Sequence, residues 1–331
     1  MHIYRAESPG PTAGKLVSKI KFTARILYLI YVVLTLIEFI MLLFGMPVFD
    51  ALVHAFATAG TGGFSIKAQS IGYYSPYSQW VIAVFMFLFS INFNIFYLIL
   101  IGSFAKAFKN EEFTVFILIV VIATGAILAD LLITNSSSMG FSEALRQSFF
   151  QVASLSSSTG FATTNYDAWP TFAKSILLFL MLFGACAGST GGGMKISRLI
   201  ILIKSSFADI RKSSHPREII SVKFNGESVD NDTIKNVRNY FVLWFLLVVL
   251  TTLILSLSNN FVGGGDLITS LSASLACIGN IGPGFNLVGP VMNYAGFTAF
   301  SKIWLSFIML AGRLEILPML ILFSPSTWSK K

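Results

Sequence analysis

Three stretches decide how this chain is read: Thr58-Ala59-Gly60-Thr61-Gly62-Gly63-Phe64-Ser65, Ser156-Ser157-Ser158-Thr159-Gly160-Phe161-Ala162-Thr163 and Gly279-Asn280-Ile281-Gly282-Pro283-Gly284-Phe285. Each follows a short apolar-periodic run and precedes a long apolar one. The short runs are Ala51–Thr58, Ala144–Leu155 and Leu267–Cys277, led by Asp50, Glu143 and Asp266. At about 10 residues they are too short to cross a bilayer, so they are predicted to be re-entrant helices. A leading Asp or Glu is expected to cap free amides and to complement the positive helix end. The negative end then points at the hairpin, where glycine lets backbone carbonyls approach a dehydrated cation. One such run alone reads equally well as a loop or as a small-residue packing surface. Three, in the same place of three repeats, point to helix–pore loop–helix units arranged around a common axis.

Composition agrees. Of 331 residues, 55% are hydrophobic and 11% charged, and the mean hydropathy is +0.76; a soluble domain carries about 25% charge. The expected fold is an all-α polytopic membrane protein with six spanning helices and three re-entrant pore helices. The spans are placed near 24–46, 79–104, 113–134, 171–204, 238–259 and 299–323. Three pore repeats follow, at 1–110, 111–215 and 216–331. With the N-terminus cytoplasmic, only Lys67, Arg146, Lys174 and Lys302 among the 23 Lys and Arg fall in outer segments. That asymmetry fits the positive-inside rule and puts every hairpin on the outer side. Arg198 and Lys204 are expected to snorkel to the cytoplasmic interface, and Lys195 likewise. The first apolar span is too long for a signal-peptide core, so no cleavable signal is expected. Cys186 and Cys277 lie in apolar surroundings and suggest neither a disulfide framework nor a metal site. The net charge of +8 clusters at span ends, which argues against nucleic acid as a partner.

The fourth span carries Gly184-Ala185-Cys186-Ala187-Gly188-Ser189-Thr190-Gly191-Gly192-Gly193-Met194-Lys195. Each glycine costs about 1 kcal/mol in a helix interior relative to alanine, so an interrupted helix is predicted. A polar break at membrane depth needs water or protein partners. It reads as a gate or as a packing kink. Arg313, in the last span, either finds carbonyls or hydroxyls of the 188–193 loop or reaches to the cytoplasmic interface. Arg313 and Glu315 are two apart and do not face each other on a helix. His54 is expected to pack or hydrogen-bond within the first pore helix, and Asn92 and Asn94 to bond between helices. No nucleophile–base pair, phosphate loop or paired carboxylates is seen, so enzymatic activity is not expected. The polar segment 208–238 reads as a solvated connector or as a docking surface for a cytoplasmic partner.

These motifs together resemble the Trk/Ktr/HKT superfamily of potassium transporters, most closely its bacterial TrkH branch. The matching pieces are Tyr4–Pro11, Thr61–Ser65, Ser158–Thr163, Gly188–Lys195, Asn280–Gly284 and Gly312–Leu314. The resemblance implies a K⁺ pore subunit of the bacterial inner membrane, with both termini cytoplasmic and K⁺ as the transported ion. It implies a selectivity filter at Thr61, Gly62, Gly63, Ser158, Thr159, Gly160, Asn280, Ile281 and Gly282, with K⁺ at Gly63, Gly160 and Gly282. It further implies a gate made of Gly188, Ser189, Thr190, Gly191, Gly192, Gly193 and Arg313. The implied partners are a cytoplasmic nucleotide-binding regulatory subunit, a second copy in a homodimer, and membrane lipid. Family pores have four pseudo-repeats, and Met1 falls where the second would begin. That implies a truncated reading frame or a separate chain carrying the first repeat. The alternatives are a Na⁺-conducting member of the same superfamily and a non-transporting membrane scaffold. Serine at a filter glycine would favour Na⁺, and these positions hold glycine.

Overall fold

A computed structural model describes residues 20–134, 139–218, 220–262, 266–314, and Ile316 and Met319. The first apolar run forms α1 (Ile20–Leu42) and turns at Pro47 into the short α2 (Val48–Ala59). After the first hairpin comes α3 (Pro76–Phe89), begun by a Ser75 cap with Pro76 in its first turn. Next are α4 (Phe93–Leu100) and the single turn α5 (Phe104–Phe108). The second unit comprises α6 (Glu111–Ile133), α7 (Phe141–Ser156), α8 (Thr171–Leu182) and α9 (Ile196–Ser214). The third comprises α10 (Asn231–Val262), α11 (Leu267–Ile278) and α12 (Ala299–Arg313). Each re-entrant helix packs against the helices before and after it in its own unit: α2 against α1 and α3, α7 against α6 and α8, α11 against α10 and α12.

Phe22–Leu42, Glu111–Ile133 and Asn231–Ser258 are long and apolar enough to cross a membrane unbroken. The expected spans at 79–104 and 171–204 are both broken. In the first, α3 and α4 meet at 92° across Ser90-Ile91-Asn92, a bend without glycine or proline. Asn92, expected to bond between helices, instead caps α4 by accepting from Asn94 N at 2.9 Å. In the second, the chain leaves helix between α8 and α9. The two breaks satisfy each other. Phe93 N donates to Gly188 O and Cys186 N to Ser90 O, each at 3.1 Å. Thr190 Oγ1 donates to Phe89 O at 3.2 Å. Backbone groups freed from a helix at membrane depth must find protein or water, and here each broken span supplies the other.

Of the three acidic residues expected to cap, Asp266 does so, accepting from Thr269 N at 2.9 Å. Asp50 sits inside the first turn of α2, where Pro47 is the cap, and accepts from the Tyr74 hydroxyl at 2.8 Å. Glu143 lies in the first turn of α7 after Gly140, 3.9 Å from Arg146. All three still stand at positive helix ends, so the dipole argument holds where the capping argument does not. Two apolar clusters hold the bundle. One is built by the second and third units with Ile91, Ile95 and Ala107 of the first; the other by the first unit with Phe150, Ala153 and Phe161 of the second. Leu29, Leu36 and Ile40 on α1 face outward. In lipid the helices associate through close packing rather than apolar transfer.

The 208–238 connector is more ordered than a solvated loop. Helix α9 runs to Ser214, and β1 (Lys223–Phe224) pairs antiparallel with β2 (Glu227–Ser228). Asn225 and Gly226 at its tip have φ of 52° and 82°, the two left-handed residues that a tight hairpin turn requires. Val222 and Phe224 are buried, so the hairpin is docked on the bundle.

Candidate ion pathway

The three hairpins repeat one backbone design. Thr61 and Gly63 have φ of 49° and 64°, Ser158 and Gly160 of 57° and 84°, and Asn280 and Gly282 of 54° and 103°. The middle residues Gly62, Thr159 and Ile281 do not share that conformation. The amides repeat as well. Thr61, Ser158 and Asn280 donate to Thr58, Leu155 and Cys277; Gly62, Thr159 and Ile281 donate to Ala57, Ser154 and Ala276. Turning the amides back into the last helical turn leaves the triplet carbonyls outside these bonds, at the negative helix end.

The triplets are neighbours in space. A Cβ placed on Gly63 would stand 1.9 Å from the Thr159 carbonyl oxygen, and one on Gly160 would stand 1.7 Å from that of Ile281. The first hairpin therefore abuts the second, and the second abuts the third, through a glycine in each case. A Cβ on Gly282 would meet nothing within 4 Å. Between the third hairpin and the first lies a cavity of about 560 Å³, lined by Thr61, Gly62, Asn280, Gly282, Lys302 and Arg313 among others. Each return arm is tied to its own pore helix by a side chain. His54 takes the Asp50 carbonyl on Nδ1 at 2.7 Å, leaving Nε2 to accept from the Ser65 hydroxyl at 3.0 Å. Thr163 Oγ1 donates to Gln147, and Phe285 N donates to Ser272 Oγ at 2.9 Å.

The glycine-rich break touches all three hairpins. The Thr190 carbonyl accepts from Thr61 Oγ1 at 2.9 Å and from Arg313 Nη1 at 3.1 Å. Gly192 N donates to Ser158 Oγ. A Cβ on Gly191 would come 2.9 Å from Ser157 O, and one on Gly192 2.6 Å from Gly279 O. Only glycine permits that approach. Gly188 and Gly193, with φ of 69° and 70°, turn the chain at either end, and Ser189 Oγ bonds Cys186 O at 2.6 Å. Arg313 lies exposed at the cavity wall, reaching the break rather than the interface. Gly312 beside it brings α12 against α11, since its Cβ would fall 2.0 Å from Ile278 O.

Lys195 does not snorkel. It is buried and turns back to the Gly191 carbonyl of its own loop. Arg198 is also buried, 4.0 Å over the Tyr240 ring, while Lys204 pairs with Glu111 at 2.5 Å. Cys186 and Cys277 are buried free thiols. Among the described residues, no cluster of His, Cys, Asp and Glu could hold a metal ion. Glu315 and the Tyr4–Pro11 motif lie outside the described residues. Two contacts are not foreshadowed by any motif: the Tyr294 hydroxyl donates to Gly282 O at 2.8 Å, and Asn280 Nδ2 donates to Met309 O at 3.2 Å. Neither contact has a local signal. Ser90 and Asn92 did carry one, a polar pair with a cap former inside an apolar run.

Short helices that aim repeated carbonyl-bearing turns at one another, inside a bundle of membrane-crossing helices, define a multi-pass cation-transport protein of the pore-loop type. The chain belongs to the TrkH cation transport protein family, whose model matches residues 1–331. It is 34% identical over 336 residues to the Trk system potassium uptake protein TrkH of Salmonella typhimurium, covering 99% of this chain and 67% of the relative. It is 34% identical over 331 residues to the Escherichia coli Trk system potassium uptake protein TrkG, covering 98% and 66%. The crystal structure of the potassium transporter TrkH from Vibrio parahaemolyticus superposes with a TM-score of 0.84 at 33% identity, over 96% of this chain and 67% of that one. The chain thus spans about two thirds of the length of these relatives.

Proposed function

We propose that this chain is a pore subunit of a potassium uptake system. The supporting observation is the threefold repeat of one turn, left-handed at its first and third residues, with Gly63 and Gly160 each seated against the next turn's carbonyl. K⁺ would exchange its hydration shell for oxygens of Thr61–Gly63, Ser158–Gly160 and Asn280–Gly282. Glycine at Gly63, Gly160 and Gly282 favours K⁺ over Na⁺ by the family resemblance. The 188–193 segment with Arg313 serves as an intramembrane gate, a role supported by its hydrogen bonds to the first two hairpins and its close approach to Gly279 of the third. The units run 1–110, 111–215 and 216–331. They sit in a bacterial inner membrane with both termini cytoplasmic and the hairpins outward.

Partners follow from the same reading. The 560 Å³ cavity beside Gly282 has room for the hairpin tip of a further helix–hairpin–helix unit, which would close the ring against lipid. The docked connector around Lys223–Ser228 offers a face to a cytoplasmic nucleotide-binding subunit, and two copies assemble as a homodimer. The test is growth of a potassium-uptake-deficient bacterium at low external K⁺, with the chain expressed beside its partner subunits. Rescue that is lost in Gly160→Ser supports the reading. No rescue at matched membrane abundance, or rescue indifferent to Gly160→Ser, overturns it.

A further inference from the structure

Two adjacent carboxylates at the start of α6 join the break in the fourth span to the connector hairpin. Glu112 is buried, and its Oε1 accepts from Ala187 N at 2.7 Å and from Ser197 N at 2.9 Å. These amides belong to the non-helical segment and to the first turn of the helix that follows it, so one oxygen ties the loop to α9 like a clasp. Ser197 lies in the first turn of α9, whose own cap residue Lys195 makes no capping bond. Glu112 therefore supplies from α6 an acceptor for the first turn of α9, which its own cap residue does not provide. Glu111 faces the other way. Its amide donates to Asn225 Oδ1 at 2.8 Å, and its carboxylate takes Lys204 Nζ at 2.5 Å. Lys204 also donates to Lys223 O at 2.9 Å. One turn of α6 thus grips the loop, the helix after it, and the tip of the connector hairpin.

We infer that Glu112 is the positioning residue that holds the 183–195 segment closed against the hairpins, and that Glu111 couples this clasp to the Lys223–Ser228 hairpin. This rests on the reading of that segment as a gate. A partner that pulls the connector hairpin breaks the Asn225 and Lys223 contacts first. The load then falls on the two amide bonds of Glu112, and the loop is released without any change in the filter turns.

The experiment uses the assembled transport system in proteoliposomes. It measures rubidium leak without activating nucleotide, K⁺ over Na⁺ preference, and the rate at which a thiol reagent labels Ser189→Cys. Unsubstituted protein gives the background from the buried Cys186 and Cys277. Glu112→Ala is expected to raise leak and labelling at least tenfold with preference unchanged. Glu112→Gln, which keeps an acceptor oxygen within reach of both amides, restores most of the closure. Asn225→Gly, which keeps the left-handed turn and removes only the acceptor, raises leak two- to threefold and stands in if Glu112→Ala does not assemble. Deletion of Gly191–Gly193 is the control. Should the deletion leave leak unchanged, the gate reading fails and the clasp falls with it. Should the deletion leak while Glu112→Ala or Asn225→Gly does not, the clasp alone is overturned. Equal leak in Glu112→Gln and Glu112→Ala also overturns it.

Discussion

Replacing Gly160 by alanine tests the geometry of the hairpin ring most directly. The new Cβ would lie 1.7 Å from the Ile281 carbonyl oxygen and 2.9 Å from both the Ile281 carbonyl carbon and Pro283 Cδ, at a φ of 84°. Contacts under 3.0 Å essentially never occur for a real Cβ, so the Ile281 oxygen must retreat by about 1.3 Å, beyond what packing tolerates without rearrangement. The left-handed backbone adds about 1–2 kcal/mol for a residue with a side chain. A carbonyl moved that far no longer faces an ion held at the axis. Its loss, taken as one hydrogen bond to a charged group, is worth about 1.5–3 kcal/mol. That corresponds to a drop of about 10- to 100-fold in K⁺ over Na⁺ preference. Gly62→Ala is the control: its Cβ would press on the Phe64 ring at 3.1 Å and touch Ala57 O at an ordinary 3.7 Å, and that ring is 78% exposed and free to swing. Its effect should stay below about threefold, within the range of an ordinary surface change. The assay is rubidium uptake by the assembled system against rising Na⁺, with thermal unfolding as a check on assembly. The reasoning is refuted if Gly62→Ala is as damaging as Gly160→Ala, or if a normally folded Gly160→Ala keeps its preference.

Arg313→Gln removes a charge at the cavity wall that acts on a passing cation from roughly 4–8 Å, which at an effective dielectric of ~40 is worth about 1–2 kcal/mol. Flux should rise about 5- to 30-fold in single-turnover rubidium efflux, and an unchanged rate would remove the barrier. Asn92→Ala loses the cap of α4 and the side chain beside Gly188; it should cost about 1 kcal/mol and lower the detergent melting temperature by about 1–2 °C. At Asp266, burial raises the carboxyl pKa, but the bonds from Thr269 and Asn286 outweigh it and hold the value below the ordinary range. A depressed folded value means the carboxylate's contribution is present above the ordinary pKa and lost as pH falls through the lower one. Melting scans below about pH 4 should therefore separate the protein from Asp266→Asn less and less, and a constant gap would discount the cap.

Much of the site was legible because its chemistry is local. The triplets Thr61–Gly63, Ser158–Gly160 and Asn280–Gly282 announce themselves through glycine at the third position, where a left-handed turn follows a short helix. The glycine break at 184–193 was equally plain. The break at Ser90-Ile91-Asn92 carried only the weaker mark of a serine and a cap former inside an apolar run, because neither glycine nor proline stands there. Its cause lies about a hundred residues away, in the Gly188 and Cys186 backbone that it pairs with. The same holds for Lys195. Its position suggested a charge reaching for water, whereas the Gly191 carbonyl four residues back holds it inside. The Asn225-Gly226 hairpin was readable from its dipeptide and was passed over within a polar connector.

The amino-acid order by itself determined that the chain is a membrane bundle of three alike units, each with a short helix and a glycine turn. Hydropathy and backbone preference are properties of a few neighbouring residues, so they survive without a fold. Only the tertiary structure decided that Gly63 meets Thr159 and Gly160 meets Ile281, that among the described residues a cavity lies beside Gly282, and that Glu112 spans the loop from another helix. Such pairings depend on how the helices cross and on which buried amides are left over, and no local spacing encodes either.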